Sequence, residues 1–273
     1  MQITVLGKSP SWQDVDGACS GYLVEEGGTT LVLDCGNGVF GKLRRHRDYR
    51  TVDAVVVSHL HADHFLDLVP FSYALTYTPR GRLGAEDQPA GIAAGPGDAA
   101  APQPAPPRLH APRGACETFR RVVGSWGNEG LIEEAFDLRE YEPDAAIEVG
   151  ELRVRFHPVP HYLATHAVEI TTAAGGGRFT FSADCRPSDE LVEFARDTDL
   201  LLVEATLARA EPEGPRGHLT PAEAGEHGRR AGARRLVLTH ISDELDFDWA
   251  RGEAERSFGG PVEVAYQDGV YTV

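Results

Sequence analysis

The chain has 273 residues, 41% hydrophobic and 25% charged, with 26 Lys and Arg against 42 Asp and Glu for a formal charge of −16. That length supports a large core and admits one domain as readily as two; the chain is read as one domain over residues 1–273, and no apolar stretch reaches the ~18 residues needed to cross a bilayer. The acidic balance repels polyanions, which weighs against extended nucleic acid and leaves a small anionic substrate, drawn in by bound cations, as a compatible partner.

Met1 to Gly7 lacks a basic region and a long apolar region, so it reads as a first strand and not as a signal peptide. Cys19, Cys35, Cys116 and Cys185 are scattered without paired spacing, which suits reduced thiols and a cytoplasmic enzyme. A polar loop carrying Trp12 follows the first strand. Tyr22–Glu26, Gly27-Gly28 and Thr30–Asp34 form a hairpin signature. Val39–Arg47 is a short helix, Val52–Val57 a buried strand, and Phe65–Tyr77 a helix with a kink expected at Pro70.

Residues 78–108 change character: seven prolines mix with Gly, Ala and single charges, the composition of a mobile surface insertion. It reads either as a tolerated insertion or as a lid or partner-binding loop. Order resumes at Leu109, with a helix over Cys116–Trp126. Strands over Ile147–Val149, Leu152–Val159, Ala167–Thr171 and Arg178–Ser182 lead to a helix over Glu190–Arg196. A strand over Leu200–Glu204, a helix over Pro221–Ala231, a strand over Arg235–Thr239, a helix over Trp249–Phe258 and closing strands complete the chain. The second half echoes the first, predicting an α/β fold of αββα sandwich type: two mixed β-sheets face to face, with helices on both outer sides.

The chemistry concentrates in Ser58-His59-Leu60-His61-Ala62-Asp63-His64, at the end of an apolar run. Four ligand-type side chains where a strand breaks into a loop suit two adjacent metal ions. Neutral imidazole and carboxylate are what Zn²⁺ accepts when no thiolate is offered, and Mn²⁺ or Fe accept them too. Three later apolar runs each end in a potential ligand: His161, Asp184 and His240. Strands that deliver such groups to one end of a sheet system can converge them on one cleft. Spacing alone does not separate His161 from His157 or His166.

His59-x-His61-x-Asp63-His64 followed by His161, Asp184 and His240 resembles the metallo-β-lactamase superfamily. Within it, Ser182–Pro187, Leu202–Thr206, Gly217–Ala224 and Leu238–Ile241 resemble the ribonuclease Z-like phosphodiesterase branch, closest to the actinobacterial cyclic-AMP phosphodiesterases of this fold. Ser20–Leu23 and Leu33–Gly36 support that choice. The resemblance implies that His59, His61 and His161 hold one metal, that Asp63, His64 and His240 hold the other, and that Asp184 bridges them. It further implies that His218 contacts phosphate and donates a proton, and it allows a homodimer. His218 is also the neighbour of a Thr220-x-x-Glu223 capping box, which is its purely structural reading.

Two such ions would hold a hydroxide between them, because bound metal lowers the pKa of water toward ~7. The implied reaction is cleavage of a 3',5'-cyclic nucleotide, cyclic AMP to AMP, with Asp63 orienting the hydroxide or taking its proton. Lactone or thioester hydrolysis uses the same metals. Ribonuclease Z-like RNA processing is weaker, because residues 162–183 leave room for only a hairpin where that enzyme carries a long arm, and Val203 stands in place of its first histidine. A ligand sensor without turnover is the non-catalytic alternative, against which the full ligand set counts. Trp12 could stack on a base or simply pack, and Arg186 could meet a phosphate or remain solvated.

Overall fold

The computed structural model describes residues 1–77, 105–144, 146–173, 175–211 and 215–273. The expected insertion therefore lies largely outside the described residues, although Arg108 already belongs to a strand.

The first sheet is built from β1 (Gln2–Gly7), β2 (Gly21–Glu26), β3 (Thr29–Leu33), β4 (Ala54–Val56), β5 (Arg108–Pro112), β6 (Asp137–Tyr141) and the C-terminal β14 (Val270–Thr272), in the order β14-β1-β2-β3-β4-β5-β6. The second runs β13 (Val262–Val264), β12 (Arg235–Thr239), β11 (Leu200–Glu204), β10 (Arg178–Phe181), β9 (Thr165–Thr172), β8 (Leu152–Val159) and β7 (Ala146–Val149). Each sheet begins antiparallel and ends parallel. β3 to β6 are parallel neighbours in one, and β10 to β13 in the other. This internal echo is the one the sequence suggests.

Patterning explains the layers. β8 alternates, with Leu152, Val154 and Phe156 buried and Arg153 and Arg155 exposed, as a strand with one wet face must. β4, β11 and most of β12 are apolar on both faces, because helices cover their outer side. Ile3, Tyr22, Leu31, Val56, Phe156, Phe179 and Phe181 fill the space between the sheets. Outside the first sheet, α1 (Val39–His46), α3 (Leu68–Tyr77), α4 (Ala115–Gly124) and α5 (Leu131–Ala135) bury Leu43, Phe71, Phe119 and Leu131. Outside the second, α6 (Asp189–Phe194), α7 (Pro221–Ala231) and α8 (Phe247–Phe258) bury Leu191, Ala224 and Ala254. α7 carries the Thr220/Glu223 capping box, with Pro221 in its first turn.

Two expectations change. The helix foreseen over Phe65–Tyr77 is split into α2 (Ala62–Phe65) and α3, and Pro70 sits in the first turn of α3 instead of kinking a longer helix. The buried strand expected over Val52–Val57 pairs only at Ala54–Val56. Among the described residues no helix is long and apolar enough to cross a membrane. All four cysteines are free.

Candidate metal centre

β3, β4, β8, β10, β11 and β12 all end at one edge of the sandwich, and each is followed by a polar side chain turned inward. This is where open parallel sheets place their ligands. The chain leaves β4 into His59, which is wholly buried, and His61 caps α2, whose first turn carries Asp63 and His64. Gly36 permits this arrangement: a Cβ there would lie 1.8 Å from the Asp63 carbonyl oxygen, so only glycine lets the two backbones approach.

His59, His61, His161 and Asp184 bring one ligand atom each within 4.8 Å of one another, and so do Asp63, His64, Asp184 and His240. Asp184 belongs to both groups. His61 Nδ1 lies 3.2 Å from His59 Nε2 and 3.1 Å from His161 Nε2. Asp184 Oδ2 is 3.7 Å from His59 Nε2, 3.4 Å from His64 Nε2 and 3.3 Å from His240 Nε2. Asp63 Oδ2 is 3.5 Å from His64 Nε2 and 3.2 Å from His240 Nε2. Such gaps match the edges, about 3.3 Å, of a tetrahedron with ~2.0–2.1 Å bonds to nitrogen or oxygen.

Of the buried polar atoms without a hydrogen-bond partner among the described residues, His64 Nε2 and Asp184 Oδ1 belong to these ligands. Buried polar atoms are rarely orphaned, so these fit a bound cation. Ala183 and His240 adopt positive φ of 51°, and Asp34 57°, so three residues that aim the ligands sit in the left-handed region.

The outward-facing ring nitrogens are tied down. His64 Nδ1 pairs with Asp34 Oδ2 at 2.7 Å, and His161 Nδ1 donates to the Gly217 carbonyl at 2.8 Å. His240 Nδ1 meets Thr206 Oγ1 at 2.8 Å, and His59 Nδ1 meets Ser58 Oγ at 3.1 Å. Partners of this kind fix the orientation of metal-binding imidazoles.

Electrostatics favour ligation. Burial holds the imidazole of His59 well below its usual range, lowers that of His61, and brings His161 down to about 4. Burial opposes ionisation of Asp184, but the neighbouring His240 and His64 outweigh it and hold the carboxyl well below the usual range. Asp63 is likewise held low against burial by the neighbouring His240 and His64. Burial lowers His64, yet Asp184 and Asp34 outweigh it and pull the ring well above its usual range.

His218 stands beside the cluster, its Nδ1 4.0 Å from Asp184 Oδ2 and its ring centroid 5.0 Å from that of His161. That nitrogen pairs with Glu204 Oε1 at 3.0 Å. Glu204 is wholly buried and also accepts from the Cys185 and Thr206 amides and the Thr206 hydroxyl. Burial opposes protonation of His218, but Glu204 outweighs it and raises the ring above its usual range.

All seven anticipated ligands and His218 thus lie together. His157 instead pairs with Asp144 at 2.9 Å and stacks on Phe194, while His166 lies under Ser58 against Tyr141. His227 is buried on α7, away from the cluster, accepting from the Ser188 amide and donating to the Glu223 carbonyl. Arg186 is exposed and contributes only its backbone amide, to Pro160. Neither Arg186 nor the exposed Trp12 makes a hydrogen bond, ion pair or ring contact with the cluster among the described residues. Asp34, Glu204 and Tyr162 were not singled out from the sequence. A carboxylate ending an apolar strand, as in Leu33-Asp34 and Val203-Glu204, was the available signal for the first two.

A beta-lactamase superfamily domain model matches residues 98–241. The chain belongs to the metallo-β-lactamase superfamily. A second model, described as the anti-Pycsar protein Apyc1, matches residues 1–84. The probable metallo-hydrolase YhfI of Bacillus subtilis is 28% identical over 97% of each chain, and its crystal structure superposes with a TM-score of 0.82 at 25% identity, covering 99% of this chain and 98% of that one. A ribonuclease Z of Haloarcula marismortui is 30% identical over 99% of this chain and 96% of its own. Human tRNase Z, short form, shares the fold with a TM-score of 0.73 at 19% identity, covering 100% and 99% of the two chains. As a metallo-β-lactamase superfamily member the chain is a metal-dependent hydrolase, and its imidazole and carboxylate clusters are where divalent ions fit.

Proposed function

We propose that this metallo-hydrolase is a dinuclear phosphodiesterase that cleaves 3',5'-cyclic nucleotides, cyclic AMP to AMP. The observation that carries the reading is the Glu204–His218 pair: a partly exposed imidazole, raised above its usual range by a buried carboxylate, beside two metal-type clusters that share Asp184. A hydrolase whose leaving group is an alkoxide needs such a proton donor, whereas a thiolate leaves without one.

His59, His61, His161 and Asp184 would hold one cation, and Asp63, His64, Asp184 and His240 the other; the donor set suits Zn²⁺, with Mn²⁺ or Fe as acceptable substitutes. When bound, the pair supplies neutralisation of the diester charge and a water of lowered pKa. The protein's own groups do the rest. Glu204 fixes the Nδ1 proton of His218, leaving the other ring nitrogen to give its proton to the departing sugar oxygen. Asp63, kept ionised by His64 and His240, is placed to orient the attacking water and take its proton.

The ribonuclease Z relative is the observation that favours a second reading, RNA processing. Against it stand the charge of −16 and the short β9–β10 hairpin between His161 and Asp184. The deciding experiment is hydrolysis of cyclic AMP by zinc-loaded protein beside a His64→Ala variant, with bis(p-nitrophenyl) phosphate as a generic diester. Turnover of cyclic AMP that the variant lacks supports the reading. Cleavage of the generic diester alone refutes the cyclic-nucleotide assignment, and silence on both redirects it to lactones and thioesters.

A further inference from the structure

Tyr162 follows His161 directly, and its ring lies at the mouth of the site. Its centroid is 4.8 Å from that of His161 and 6.1 Å from that of His218, yet the residue is 50% exposed. The ring rests on Gly217: a Cβ at that position would come within 2.2 Å of Cε2 and 2.6 Å of Cζ. Glycine there is what lets the phenol ring settle against bare backbone. Its hydroxyl has no hydrogen-bond partner among the described residues, so packing alone places the ring. The same Gly217 carbonyl accepts from His161 Nδ1, so the residue that seats the tyrosine also aims the metal-type ligand.

A single exposed aromatic is ordinary on a protein surface and by itself points to nothing. Held between a cation-cluster residue and the proton donor, however, a tyrosine offers a rigid apolar face at low entropic cost. A ligand whose phosphate lies on the clusters and whose sugar oxygen meets His218 would extend its remaining part outward past this ring. We propose that Tyr162 is the platform on which the heterocycle of a nucleotide stacks, and that it sets the preference for base-bearing over base-free phosphates. The proposal rests on the phosphodiesterase reading for the identity of the ligand. Trp12, equally exposed, makes no ring contact with the clusters among the described residues and is not part of the platform.

The test is calorimetric titration of zinc-loaded protein with AMP and with ribose 5-phosphate, which share a phosphate and a sugar and differ in the base. Stacking on one aromatic predicts that AMP binds roughly tenfold more tightly. In Tyr162→Ala the AMP affinity should fall to that of ribose 5-phosphate, whose own affinity should stay within about twofold, showing fold and metals intact. Tyr162→Phe should keep the advantage. Survival of the AMP advantage in Tyr162→Ala, or its loss in Tyr162→Phe, overturns the platform. Cyclic AMP turnover measured in parallel separates the two ideas: a Tyr162-dependent preference without turnover retires the phosphodiesterase reading alone, and turnover with an unchanged KM in Tyr162→Ala retires the platform alone. Binding of neither ligand overturns both.

Discussion

His64 Nδ1 and Asp34 Oδ2 meet at 2.7 Å with both side chains wholly buried. The carboxylate also takes the amide and the hydroxyl of Ser58, at 2.7 and 2.9 Å, so all of its bonds serve the loop that carries His59 and His64. The pairing fixes the tautomer of His64 and turns its unpartnered Nε2 toward Asp63 and Asp184.

Asp34→Asn keeps the shape and removes the charge. Loss of a partner of this kind lowers metal affinity by about 10–100-fold. Competition against a chromophoric zinc chelator should show the larger loss in the binding event that uses His64, which Asp34 touches directly, whereas it reaches His59 only through Ser58. Native affinity at both sites would contradict the role given to Asp34.

Glu204→Gln leaves His218 in place but removes the charge that raises it. If the imidazole protonates the leaving oxygen, kcat on cyclic AMP should drop by about 10²-fold while KM changes little. A rise in KM with kcat intact would mean that Glu204 shapes binding and not proton transfer.

How much of this was legible beforehand follows from what each residue does. The ligand cluster stood out because His59, His61, Asp63 and His64 crowd a strand end, a placement that core packing does not ask for. The sandwich was readable from apolar runs such as Leu200–Glu204, whose length and turn-rich flanks mark buried strands. Separating His161 from His157 took the fold: β8 alternates, which sends His157 outward to Asp144, and His161 lies beyond the strand's end. β6 and α5 went unread because Asp137-Leu138-Arg139-Glu140-Tyr141 is an edge strand, polar on its open side, and α5 spans only five residues. Asp34 and Glu204 act through histidines distant in sequence, and pairings across 30 and 14 residues leave no local mark.

Lys8 offers a check on how the site edge is held. It is 7% exposed, pairs with Asp14, donates to the Ile241 carbonyl at 2.8 Å and lies 4.4 Å over the Phe247 ring. Asp14 in turn accepts from the Asp243 amide, so the polar loop after β1 is clamped to the turn that presents His240. Lys8→Met strands the Asp14 carboxylate in a poor solvent, at a cost of about 3 kcal/mol. Thermal denaturation should show a fall of several degrees, and Lys8→Met combined with Asp14→Leu should recover much of it. A double variant no better than the single would mean that the lysine acts through packing on Phe247.

His110 on β5 ties stability to pH. It is 6% exposed, its Nε2 is unpartnered, and burial together with the charges of Arg108 and Arg139 brings its pKa down to about 4. The unfolded chain, with an ordinary histidine near 6.5, takes up a proton in this window that the folded chain refuses. Stability is therefore unaffected by this group above pH 6.5 and declines as pH falls from 6.5 toward 4, by about 3 kcal/mol. The group sits on the inner face of the first sheet, opposite Val56, and belongs to neither metal-type cluster, so excess zinc separates the effect from metal release. Urea denaturation at pH 7 and pH 5 should show a smaller loss of stability in His110→Gln than in the natural chain, both measured with excess zinc. Equal losses would place the acid sensitivity elsewhere, in His166, which burial also lowers, or in the ligands themselves.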